Sequence, residues 1–492
     1  MSRSIYARLT RRFAPHRDGP SRREMLKASL ALGATMLLTR GGLLAQGKGK
    51  RVVVVGAGLS GLAAAHELSA LGYEVTVVDA RNRVGGRVLS FSDLVPGKNV
   101  EGGGELIGSN HPLWVAYADK FGLSFLDVTE TEEVEFPVVL QGRRIEAERA
   151  GELWEEMDAL CSRMNADAAK VDPRAPWSSP DAMALDRRSL RSWIDAQEGS
   201  DLGKVALDAL LASDNGVATS WQSYLGNLAM VAGGGGETFW SDSEVYRCAG
   251  GNDQLAKRLA ATLDGKRLLL GVPVKRVASS EKGATVALAD GRLLEADDVI
   301  VSVAPSVHNR IDFDPGLPAA LRVQMGANVK FLAAAKGRFW LDEKLAPDYL
   351  SDGDISQTWD GTDNQPGEEG ACMVAFSGGP PAQNCGAYES AERAERYLQE
   401  LERVYKTIRK SFTKSRYMGW TDDLWTQGSY SFPAPGEVTS VGPMLQQPHA
   451  GRIHFAGEHC SYAFVGYMEG ALQSGVAVAQ RIAERDGVGK AK

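Results

Sequence analysis

The stretch RVVVVGAGLSGLAAAHELSALGYEVTVVD, residues 51–79, constrains the fold more than any other part of this chain. Val52 to Val55 form an unbroken apolar run, the pattern of a strand buried on both faces of a parallel sheet. Gly56, Gly58 and Gly61 follow in the spacing GxGxxG. The first glycine allows a tight turn, the second lets backbone approach a pyrophosphate, and the third lets helix and strand pack closely. A helix is predicted from Leu59 to Leu71, its N-terminus facing the phosphates. A second strand, Glu74 to Val78, ends at Asp79, whose carboxylate suits ribose hydroxyls. Glycines alone are weak evidence; glycines between two apolar strands, with an acid closing the second, are strong evidence.

The next residues choose the dinucleotide. Arg81-Asn82-Arg83-Val84-Gly85-Gly86-Arg87 add a second glycine pair and positive charge. More backbone donors suit FAD, whose pyrophosphate lies close to both turns. Here the chain resembles the flavin amine oxidase family, which contains monoamine oxidases, polyamine oxidases and L-amino acid oxidases. The family usually has Glu where Asp79 stands; the exchange keeps the carboxylate and shortens its reach. The resemblance continues in order. Glu101-Gly102-Gly103-Gly104-Glu105 looks like the segment that passes the flavin ring, and Tyr246 to Leu255 like the return to the FAD domain, with Arg247 in the flavin framework. Val274 sits where the family contacts adenine through backbone groups. The strand Asp298 to Val303 ends in Ala304-Pro305, before re-entry into the substrate domain. Gly457 and Glu458 look like the approach to the ribityl and phosphate region. Gly466, Tyr467 and Met468 would bring backbone to the isoalloxazine oxygens, ahead of a helix.

The implied fold class is α/β: a Rossmann-like FAD-binding domain interleaved with an α+β substrate-binding domain. Residues 51–110, 241–307 and 441–487 are assigned to the first, and 111–240 and 308–440 to the second. Within the second, Leu153, Met157, Leu160 and Cys161 recur at helical spacing, as do Leu190, Trp193 and Ile194. Residues 351–386, rich in Gly, Asp, Pro and Asn, read as loops. Lys330 falls in the strand-like run GANVKFLAAAKGRFW, where a lysine is costly to bury unless paired.

What the resemblance implies for chemistry is specific. Lys330 matches the lysine that holds a water against flavin N5. Tyr430 and Tyr467 match the tyrosine pair flanking the substrate amine, and Trp420 and Trp425 are candidates for the same side. Ser429 stands where monoamine oxidases attach FAD through cysteine, so FAD is expected to be non-covalent. The implied reaction is hydride transfer from the α-carbon of a primary or secondary amine to flavin N5. Imine hydrolysis and reoxidation by O2 to H2O2 complete it. The alternative is an L-amino acid oxidase, which must hold a carboxylate, best done by a bidentate arginine. The secreted members have one near the position of Glu105-Leu106, and this chain does not.

Charge and cysteines bear on partners. Residues 1–50 carry 11 Lys/Arg against 2 Asp/Glu, and the remainder 44 against 60. An acidic body repels nucleic acid and anionic membrane. Five scattered cysteines without CxxC give no reason to expect a metal cluster. Ser21-Arg22-Arg23-Glu24-Met25-Leu26-Lys27, then the apolar run Ala28 to Leu38, resembles a twin-arginine export signal within residues 1–45, with cleavage expected near Ala45. Eleven apolar residues are too few for a stable membrane span. The expected partners are therefore a small-molecule amine or amino acid, O2 and the twin-arginine export machinery. A homodimer is left open, and the expected location is the periplasm or outside of a bacterium.

Overall fold

The structure is a computed structural model that describes residues 22–37, 49–129, 134–367 and 369–488. Its nucleotide half is a five-stranded parallel sheet. In spatial order the strands are Ile453–Phe455, Asp298–Val301, Arg51–Val55, Glu74–Asp79 and Leu268–Leu270. The apolar run in the first strand takes the middle position, with Val54 fully buried. The helix Leu59–Ala70 follows it directly, one residue shorter than predicted. A Cβ on Gly61 would stand 2.1 Å from Gly56 O, so only glycine permits this helix–strand approach.

The two ends of the chain meet on that helix. The C-terminal helix Met468–Arg485 packs on it through Gly475, where a Cβ would lie 2.1 Å from Ser60 O. Ser60 Oγ and Ser474 Oγ are hydrogen-bonded at 2.9 Å, and Ser474 Oγ also accepts from Gly457 N. The helix Pro112–Phe121 belongs to the same apolar core through Leu113, Trp114 and Tyr117, although its residues were assigned to the substrate half.

The second half contains a seven-stranded sheet and a helical core. Helices Ala147–Ala168, Asp201–Asn215 and Tyr224–Gly233 share one apolar cluster. Leu153, Met157, Leu160 and Cys161 all lie in it, as do Leu190, Trp193 and Ile194, as their spacing predicted. The expected loops at 351–386 are a correction. This region holds the strands Gln357–Asp360 and Ala371–Gly378 and the helix Pro380–Gly386. Ala371–Gly378 is buried throughout and lies inside the sheet. The glycine- and proline-rich residues between the strands dominate the local composition, but the apolar run ACMVAFSG has two neighbouring strands to bond with.

The helix Arg22–Met36 lies on Pro112–Phe121. Ser29 Oγ donates to Ser109 O at 2.5 Å, and a Cβ on Gly33 would lie 1.9 Å from Pro112 O. The expected cleavage near Ala45 lies outside the described residues. Among the described residues, no helix is long and apolar enough to cross a membrane.

Candidate active site

A cavity of about 1280 Å³, part of it open to solvent, runs from the nucleotide turn into the second half. Gly56, Gly58, Asp79, Arg81, Gly86 and Arg87 line its first part. The two glycine turns are joined: Gly85 N donates to Ala57 O at 2.8 Å, and a Cβ on Gly86 would stand 3.4 Å from Gly58 Cα. A Cβ on Gly58 would meet nothing within 4 Å. Asp79 accepts from Ala57 N and Arg81 N, both at 2.7 Å. Burial raises the Asp79 pKa, against the pull of those two donors. Arg81 does not stand open to a ligand, since its guanidinium is engaged by Asp423 and Thr426. Gly61 lies off the wall and acts in helix packing.

Val274, expected to offer its backbone groups, is not on the described cavity wall, and its side chain packs in the apolar layer beneath the neighbouring four-stranded sheet. The turn before it reaches the nucleotide strand instead, with Gly271 N donating to Arg81 O and Val272 N to Asp79 O.

Glu458 and Arg87 join the middle of the wall. Arg87 Nη1 donates to Glu458 Oε1 at 2.9 Å and to Ser429 O at 2.7 Å. Glu458 also accepts from Ser431 and from Gly466 N. Burial alone would raise its pKa, but Arg87, His459 and Ser431 hold it below the usual range. Gly466 has φ +82°, a conformation that favours glycine, and it turns the chain into the C-terminal helix. Gly104, Gly457 and Met468 line the same region. The acid beside the turn, Glu469, faces away from the cavity's chemistry: it accepts from Leu113 N and Trp114 N and anchors the next helix.

Lys330 is buried on an interior strand, Asn328–Ala335, between Ala371–Gly378 and Phe412–Gly419. Its ammonium meets Glu105 Oε2 at 2.6 Å, Gly103 O at 2.9 Å and Glu101 O at 3.4 Å. Glu105 is shared: Arg247 Nε and Trp359 Nε1 donate to its other oxygen. Burial works against the charge on Glu105, but Lys330 and Arg247 keep its pKa lowered. Lysine has three N–H donors, so every one is directed at a protein acceptor, the 3.4 Å contact being the weakest.

Tyr430 and Tyr467 both line this cavity, as do Asn328 and Phe376. Gly326 N donates to Tyr430 O, and Ser429 N to Gly326 O, tying this segment to the strand that carries Lys330. Tyr467 packs its ring against His111, with centroids 5.3 Å apart. Trp420 and Trp425 also line the cavity. Ser429 Oγ is buried there and has no hydrogen-bond partner among the described residues.

The comparisons with known proteins show which family carries this fold. The pattern of the family described as "Flavin containing amine oxidoreductase" matches residues 59–483. This chain belongs to that family. It is similar to an L-amino acid dehydrogenase of Synechocystis sp., 27% identical over 92% of this chain and 98% of that protein. It is also similar to the flavin-containing amine oxidase B of Homo sapiens, 27% identical over 88% and 85%. Among solved structures, putrescine oxidase bound to putrescine superposes with a TM-score of 0.80 at 26% identity, covering 89% of this chain and 99% of that one. Cyclohexylamine oxidase from Brevibacterium oxydans gives 0.79 at 26% identity, with the same coverage. The two-domain flavin amine oxidase fold and an amine-acting oxidoreductase with FAD are thereby established.

The residues of this amine oxidoreductase fit FAD. Helices Leu59–Ala70 and Met468–Arg485 both start at the cavity without a side-chain cap, leaving backbone N–H groups for anionic oxygens. The glycine turns leave backbone exposed, and Ser429 Oγ awaits a partner. Wall residues that escaped the sequence reading include Asn328, Trp359, Phe376 and Glu244. Asn328 alone carried a signal, since alternation along a strand puts it on the same face as Lys330. Phe376 stands beside Lys330 only through cross-strand register.

Proposed function

We propose that the protein oxidises a primary or secondary amine at its α-carbon, with O2 as the electron acceptor and H2O2 as a product. The observation that carries this reading is the charge on the cavity wall. Among the described lining residues the cations are Arg81, Arg87 and Lys330, and each is engaged by a protein carboxylate. No lining arginine accompanies Tyr430 and Tyr467 to receive a substrate carboxylate. Aromatic faces suit an amine, each such contact being worth roughly 0.5–2 kcal/mol.

Bound FAD supplies a two-electron acceptor for the carbon that bears nitrogen. The nucleotide turns, Asp79, Arg87, Glu458 and the start of the C-terminal helix would hold it. Tyr430 and Tyr467 orient the amine, and the apolar wall excludes water. Lys330, its charge fixed by Glu105, is the cation suited to holding a water through its weakest contact. The released imine hydrolyses in water to a carbonyl compound and ammonia or a second amine. FAD is held non-covalently, with Ser429 where a thiol would be required; denaturation should release all the flavin, and flavin retained on the polypeptide would refute this.

A second reading, oxidation of L-amino acids, is favoured by similarity to the Synechocystis dehydrogenase. A panel of benzylamine, tyramine, putrescine, spermidine and L-amino acids separates the two by aerobic peroxide release. Peroxide from amino acids alone overturns the amine reading. Flavin bleaching without peroxide identifies a dehydrogenase. The arginine pair and apolar run of residues 21–38 support export of the folded protein to a bacterial periplasm, and cell fractionation tests it: a wholly cytoplasmic protein ends that proposal.

A further inference from the structure

We propose that residues 421–427 form a strap that opens to let FAD in and out, with Arg81 as its latch. The inference concerns cofactor loading and rests on FAD being held non-covalently. The ends of the loop meet: Gly428 N donates to Trp420 O at 3.4 Å, and Asp423 N to the same oxygen at 3.3 Å. Both ends are fixed. Trp420 is buried and its Nε1 donates to Gly102 O at 3.0 Å, while Ser429 N donates to Gly326 O at 2.9 Å. Between them the backbone bonds to itself. Asp422 N donates to Gly419 O, Thr426 N and Gln427 N to Asp423 O, and Trp425 N to Asp423 Oδ1. Gln427 turns the chain with φ +48°. Such a compact loop moves as a unit on its two ends.

Side chains tie the strap to the nucleotide half. Arg81 Nη2 donates to Asp423 Oδ1 and, at 2.7 Å, to Thr426 Oγ1. Ser306 Oγ donates to Thr426 O. Arg310 stands over the Trp425 ring, 5.7 Å from its centroid. Among the described residues, no backbone-to-backbone hydrogen bond joins 421–427 to the nucleotide sheet, so opening breaks none of its ladder.

Position gives the strap its role. Trp425 and Thr426 line the FAD cavity, as do Asp79 and Arg81. Arg81 and Trp425 also line a second hollow, on the outer surface, with Asn82, Arg83, Gly271 and Asp423. These two side chains therefore stand between the cavity and the outside. Asp79, the acid suited to the ribose, is two residues from Arg81, so the strap closes the ribose end. The outer side of the loop faces solvent, with Leu424 51% exposed. A gate of this kind acts on rates: it must open before FAD enters and again before FAD leaves. Weakening the latch raises the open fraction with and without FAD, so uptake and release quicken together while affinity changes little.

The test follows FAD on and off the full chain rather than turnover. Stopped-flow mixing of apoprotein with FAD gives kon from flavin fluorescence, and chasing radiolabelled FAD from the holoprotein with excess unlabelled FAD gives koff. In Asp423→Ser the short hydroxyl still caps Trp425 N but no longer reaches Arg81. Combined with Thr426→Val, it removes both latch contacts. Both rates should rise by about tenfold, with Kd changed by less than about threefold. Arg310→Gln, at an exposed position that does not endanger folding, should raise both by about twofold to threefold. Rates unchanged in both variants overturn the strap. A faster koff with kon unchanged also overturns it, being the mark of a wall contact that merely holds bound FAD. A slower koff alone means that the freed Arg81 grips the phosphates, and refutes the gate as well. Flavin left on the polypeptide after denaturation removes the non-covalent reading and the exit step together; exchangeable flavin with unmoved rates removes the strap alone.

Discussion

The two parts of the cavity are built by different means. The nucleotide part is mostly backbone from one continuous segment, residues 56–87, joined by the 457–468 turn. Its arginines are engaged within the protein, so recognition falls to N–H groups, glycine clearances and one acid. The substrate part is mostly side chains from segments near 106, 244, 328, 376, 430 and 467. Backbone recognition constrains where glycines stand. Side-chain recognition leaves the residue free to change with the substrate, which is why one flavin scaffold serves several amines.

Substitutions divide along this line. Gly61→Val should have the largest effect, because its side chain would collide with Gly56 O in the turn that ends the central strand. We expect destabilisation beyond about 3 kcal/mol and little soluble protein, followed by soluble yield and circular dichroism. Gly58→Val should behave differently, since Gly58 lines the cavity and a Cβ there would meet nothing within 4 Å. The apoprotein should fold, with FAD affinity reduced by about a hundredfold, or roughly 2.7 kcal/mol, in a flavin titration. Unchanged affinity there would break the backbone account of the nucleotide part.

The side-chain part should tolerate truncation with flavin still bound. Tyr430→Ala combined with Tyr467→Ala should lower kcat/KM for amines by about tenfold to hundredfold, two ring contacts being lost. Flavin affinity should change less; equal losses would mean that the rings serve the cofactor. Lys330→Met should have the smallest effect on binding. Arg247 remains to answer Glu105, so yellow protein should be recovered. Anaerobic reduction or aerobic reoxidation should slow by about tenfold, as expected for a lost charge-assisted contact of about 1.4 kcal/mol. Unchanged half-reaction rates would confine Lys330 to a structural role.

Sequence alone determined the nucleotide part, because the turns, the following helix and the closing acid obey spacings of a few residues. The same locality made Leu153, Met157, Leu160 and Cys161 legible as a buried helix face. It misread 371–378, where composition over a window concealed one apolar strand. Tertiary structure decided the rest. Lys330 became a paired interior cation only when Glu105, 225 residues away, was brought to 2.6 Å. Glu244 became a wall acid only when its segment bonded to Ile107. Neither pairing follows a local period, because sheet register and packing between distant segments, not neighbouring residues, fix which side chains share a cavity.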